Sequence, residues 1–140
     1  MIQNYQRPTI VDVSGRLADQ FSARRINSVT GRPLGSLPDH AAGIVIHHTG
    51  SSGTINDVIS TFKQRDLVSQ IVIGRDGTIY QTMPTGSQGW HVSSKGLNSK
   101  LGVSNDNALG IEVIAKDDKD VTPQRGGCGP EFLSLCDDRS

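Results

Sequence analysis

The chain has 140 residues, with 14 basic and 14 acidic side chains and 34% apolar residues. That length holds one domain with a real core and is too short for two of ordinary size. Balanced charge gives none of the basic bias that phosphate neutralisation calls for, so nucleic acid is not a favoured partner, and no apolar run approaches the ~18 residues of a membrane span.

Met1 to Arg25 contains no apolar h-region, so no secretory signal of the usual kind is expected and synthesis in the cytoplasm follows. Residues 1–42 read as an irregular N-terminal segment. Within it, Thr9–Val13 suits a short strand, Leu17–Arg25 an amphipathic turn or two, and Thr30–Pro38, with two prolines and two glycines, a loop.

Gly43-Ile44-Val45-Ile46-His47-His48-Thr49-Gly50 reads as a short buried strand ending in two imidazoles, a hydroxyl and a glycine. Side chains alternate along a strand. His47 shares a face with Val45 and Thr49, and His48 lies opposite, so at most one histidine of the pair points at any site built here. An inert pair at a wet edge is the alternative.

Thr54 is a good helix N-cap, and Asp57, three residues on, suits the helix dipole. Ile55, Val58, Ile59 and Phe62 fall on one face and predict a helix over residues 55–65 whose stripe packs on the core. Ile71-Val72-Ile73 reads as a strand. Arg75-Asp76-Gly77-Thr78 reads as a hairpin turn in which both Asp76 and Gly77 take positive φ. Thr78–Met83 is the returning strand. Residues 84–106, rich in Gly, Ser and Asn, read as loop and carry Trp90 and His91. Asn107–Ala115 is a further strand. This order predicts an α/β or α+β domain around a mixed sheet.

Glu112 interrupts that last apolar strand. An unpaired carboxylate buried there would be costly, so it is paired, hydrogen-bonded, protonated, or facing a cleft or solvent. Gly110, on the same face, leaves room beside it. His47 and Glu112 on core strands suggest a water-activating site, with zinc as one source of charge: bound zinc lowers its water's pKa toward ~7 and a carboxylate takes the proton. Neither His-Glu-x-x-His nor Cys-x-x-Cys is present. Cys128 and Cys136 lie close together near the end, where a disulfide would close only a small loop.

Four stretches in order resemble the zinc-dependent N-acetylmuramoyl-L-alanine amidases of the phage-lysin and peptidoglycan-recognition type: Ile44–Thr49, Ile73–Gln81, Gly89-Trp90-His91 and Asn107–Val113. The resemblance implies a central mixed β-sheet flanked by helices and hydrolysis of the amide between N-acetylmuramic acid and L-alanine in bacterial peptidoglycan. It makes His47 the first Zn2+ ligand and Glu112 the catalytic carboxylate. Trp90, His91, Thr49 and Asn107 become substrate-binding residues, and His48 a structural neighbour. His40 reads as an ordinary loop histidine.

The family's later Gly-His and Lys-x-Asp/Cys-Pro motifs, which supply two more zinc ligands and a lysine, have no counterpart after His91. The fold is therefore expected to be C-terminally incomplete and the zinc site short of ligands. Cys128 or Cys136 with Asp137 or Asp138, or His91, are the substitutes on offer. The expected organisation is an N-terminal segment over 1–42, an amidase-like domain over 43–122 and an atypical tail over 123–140. Such a chain would be a monomer acting on the cell wall, as a phage lysin freed at lysis or a phage-particle part. A module that binds muropeptide without cleaving it is the alternative function.

Overall fold

The computed structural model describes residues 8–17, 43–92 and 102–121. Among them are five strands: β1 (Ile10–Asp12), β2 (Gly43–His48), β3 (Ile71–Ile73), β4 (Ile79–Gln81) and β5 (Ala108–Val113), with one α-helix, α1 (Ile55–Arg65). They form one sheet in the order β1-β4-β3-β5-β2. The β3–β4 hairpin is antiparallel; β1–β4, β3–β5 and β2–β5 are parallel. The expected α/β fold around a central mixed sheet is thus present. The tail cysteines, Asp137, Asp138, His40, the 18–25 stretch and the 30–38 loop lie outside the described residues.

Helix α1 forms where the apolar stripe predicts it. The Asp57 carboxylate accepts from both the Thr54 backbone N–H at 2.6 Å and the Thr54 hydroxyl at 2.9 Å, closing the first turn. These bonds hold the Asp57 carboxyl below the usual aspartate range. The helix ends on Asp66 in the left-handed conformation, φ 58°, a place usually taken by glycine.

Its inner face, Val58, Ile59 and Phe62, packs with Leu17, Val68, Val72, Met83 and Ile114 into the larger of two apolar clusters. Leu17 arrives on a short 3-10 turn, Ser14–Leu17, which Arg16 fastens to α1 by a 2.9 Å bond to Asn56. The smaller cluster, Val45, Val92 and Ala108, lies over β2 and β5.

The β3–β4 turn departs from expectation. Gly77 alone takes positive φ, 84°. Gly77 donates to the Gly74 carbonyl and Gly74 to the Thr78 carbonyl. That is a tight turn followed by one left-handed residue, which needs a single glycine, and Asp76 instead turns its carboxylate to the Thr78 N–H. Strand ends are also shorter than read: Thr82 and Met83 lie beyond β4, and Ile114 and Ala115 beyond β5.

Candidate functional site

The site is built on the register of β2 and β5. His47 pairs with Glu112, and Val45 with Gly110. Cross-strand partners share a face, so His47 and Glu112 stand side by side on one face of the sheet, both half-buried. Because β5 runs between β3 and β2, Glu112 is not on an edge strand. Its neighbour on the other side is Val72, fully buried in the larger cluster. The carboxylate therefore stands where apolar packing gives way to polar groups.

His91 completes the group. Its Nδ1 lies 3.2 Å from His47 Nε2 and its Nε2 lies 3.3 Å from the Ala108 carbonyl. A carbonyl only accepts, so Nε2 carries the hydrogen. Burial pushes the His91 pKa down and favours the neutral ring; the Ala108 bond opposes this more weakly. In that tautomer Nδ1 is an acceptor, and His47 donates to it through Nε2.

Gly110 makes this possible. A Cβ there would lie 2.5 Å from His91 Cδ2 and 2.6 Å from Cγ. The space beside Glu112 is filled by the neighbouring imidazole.

The remaining predicted residues are placed differently. Trp90 pairs through its backbone with Val68, and its side chain packs against the larger cluster; the indole is a wall of the core. The Thr49 hydroxyl bonds the main chain of Ala115 and Ser51, tying the ends of β2 and β5 together. Asn107 spends its carboxamide on the loop before β5, accepting from the Ser104 N–H and donating to the Gly102 carbonyl. His48 points away, as alternation requires: its Nδ1 accepts from the Gly50 N–H, and Nε2 lies 3.7 Å from Asp118.

Two residues that sequence reasoning passed over hold the group in place. Asn105 Oδ1 accepts from the backbone N–H groups of His91 and Val92, and its Nδ2 donates to the Val92 carbonyl, all at 2.8 Å. Gln70, with no exposed surface, accepts from the Gly110 N–H at 2.7 Å and donates to the Ser87 carbonyl at 2.8 Å. The polar residue at the head of an apolar strand was the available signal for Gln70. Nothing in the spacing marks Asn105.

The family profile of N-acetylmuramoyl-L-alanine amidase matches residues 38–125, more than half of the chain. The chain belongs to this amidase family. Among solved structures, the endolysin N-acetylmuramoyl-L-alanine amidase LysCS from Clostridium intestinale is 26% identical, with a TM-score of 0.50 over 85% of this chain and 66% of that one. LysC from the same organism is 24% identical, TM-score 0.52, covering 84% and 67%. The Drosophila peptidoglycan recognition protein SA is 20% identical, TM-score 0.51, covering 92% and 72%. The likeness to the last two is one of fold.

The amidase-family chain spans 51%, 60% and 67% of the length of three solved relatives. No curated protein sequence matches it. No helix among the described residues is long and apolar enough to cross a membrane.

A catalytic zinc takes three protein ligands. Among the described residues no group of three His, Cys, Asp or Glu side chains could hold a metal ion. The described donor set supplies the His47 imidazole with His91 against it, and does not fit a complete zinc centre.

Proposed function

We propose that this chain acts on bacterial peptidoglycan through the face that carries His47, Glu112 and His91, as a hydrolase of the amide between N-acetylmuramic acid and L-alanine. The observation that carries the reading is the side-by-side register of His47 and Glu112 on parallel strands, with His91 against His47. Membership of the amidase family supports the choice of bond, and the Clostridium endolysin supports the bacterial cell wall as the place of action.

In this reading Glu112 is the general base. It takes a proton from water attacking the amide carbonyl and returns it to the departing alanine nitrogen. His47 is the residue to which the resemblance assigns zinc, and among the described residues no three-ligand set stands around it. His91, neutral and fixed, offers no charge and serves to hold the His47 ring in one orientation. The amidase domain is taken as residues 43–122.

The lack of a three-ligand group among the described residues favours a second reading, in which the same face binds muropeptide without cleaving it. The two separate in one assay. Purified cell wall is incubated with the chain, with and without added zinc, and newly exposed L-alanine amino groups are counted. Hydrolysis predicts release that Glu112→Gln lowers by about 100-fold or more and that His47→Ala also lowers. Wall binding with no release, unchanged in His47→Ala, would establish the binding module instead.

A further inference from the structure

We infer that Asn105 is a positioning residue for the His91–His47 pair, a role that rests on the proposed use of this face. The segment bearing His91 follows a glycine-containing loop, and its ring meets the sheet at the Ala108 carbonyl and at His47 Nε2. A ring packed over a glycine has a floor but no side walls from that residue. What sets where the ring enters is the main chain on either side of it.

Among the described residues that main chain is fixed at two points. Upstream, Trp90 exchanges two backbone bonds with Val68, 2.7 and 3.0 Å. At His91 itself and just downstream, three bonds go to one side chain, the Asn105 carboxamide. One oxygen receives two consecutive N–H groups, and the amide nitrogen closes the ring on the Val92 carbonyl. A carboxamide is the side-chain group that can do this, since it offers an acceptor and a donor in one plane. Asn105 itself sits in the turn that leads into β5. It therefore ties the His91 segment to the strand that carries Gly110 and Glu112.

Gln70 acts in parallel and deeper. It joins the Gly110 N–H to the Ser87 carbonyl and lies against Gly89, where a Cβ would come within 3.0 Å of its Nε2. Gln70 is wholly buried, so its loss would leave unpaired polar atoms in the core. Asn105 is half-buried, and water can replace part of its bonding. Its removal loosens the His91 segment while the larger cluster, which includes neither His91 nor Asn105, keeps the fold.

The test compares wild type, Asn105→Ala and Asn105→Asp at one neutral pH. The histidine ring nitrogens are read by long-range proton–nitrogen NMR, and affinity for N-acetylmuramoyl-L-alanyl-D-isoglutamine is measured by calorimetry. Wild-type His91 should show one tautomer, with hydrogen on Nε2. Asn105→Ala should fold, lose that single tautomer, and bind the probe about tenfold more weakly or worse. Asn105→Asp keeps the oxygen that takes both N–H groups but turns an acceptor instead of a donor to the Val92 carbonyl, so it should fall between wild type and Asn105→Ala in both readouts.

An Ala variant with unchanged ring signals and affinity, or an Asp variant that matches wild type in both, overturns the role. So does an Ala variant that fails to fold, which would make Asn105 purely structural. Failure of the probe to bind wild type would count against the proposed function, while the ring signals would still decide the positioning of His91.

Discussion

Over β3 and β4 the sheet is covered by Val58, Ile59 and Phe62 of α1, packed on Val72, Met83 and Ile114. Over β5 and β2 the same face carries, among the described residues, Val45, Val92 and Ala108 as a buried apolar cluster, and beside them lie His47, His91, Gly110 and Glu112. The first half holds the fold together through apolar contact. The second holds polar groups at set positions through hydrogen bonds to main-chain atoms, where burial alone would not specify a position. Glu112 stands at the boundary, one strand away from Val72.

The contrast is broken most severely by truncating the apolar half. Phe62→Ala should lose about 3–5 kcal/mol, enough to unfold much of a domain whose total stability is of order 5–15 kcal/mol. Val45→Ala, in the smaller cluster, should lose about 2 kcal/mol or less. Urea denaturation of the two variants checks the order; equal losses would mean that the two halves share the stability evenly.

A smaller effect on stability and a larger one on the site is expected from Gly110→Ala. The added methyl meets the His91 ring well inside contact distance, so the ring must move. The loss should be about 1–3 kcal/mol, together with disappearance of the His47–His91 contact from the histidine ring spectra. Gly15→Ala is the control, because a methyl there meets nothing within 4 Å. An unmoved His91 ring in Gly110→Ala would show that the glycine is not what admits it.

The sequence carried the apolar half well and the polar half only partly. The stripe Ile55, Val58, Ile59 and Phe62 locates α1, because burial of one helix face leaves a period that can be read directly. Alternation likewise puts His47 and His48 on opposite sides, so that only one of them can share a side with Glu112. What alternation cannot give is the order of strands. That His47 lies beside Glu112 depends on β5 entering between β3 and β2, a pairing of residues far apart in the chain.

Asn105 and Gln70 were missed for a related reason. Their partners are main-chain atoms 13 to 40 residues away, and a main-chain atom has no signature in sequence. An asparagine in a Ser-Asn-Asp-Asn stretch looks like solvated loop until the strand beside it is placed. Thr49 and Asn107, which the family resemblance makes substrate-binding residues, also close a strand end and a turn with their side chains, and spacing gave no sign of those bonds.

The central claim is that one face of this sheet, where β2 and β5 run together, is the one that meets muropeptide. Titrating the isotope-labelled chain with N-acetylmuramoyl-L-alanyl-D-isoglutamine and following its amide resonances tests this directly. The expected result is shifts concentrated at His47, His91, Gly110 and Glu112. Shifts confined to Ile44, Ile46, Ile73 and Ile111 on the opposite face, or no shifts at all, would contradict it.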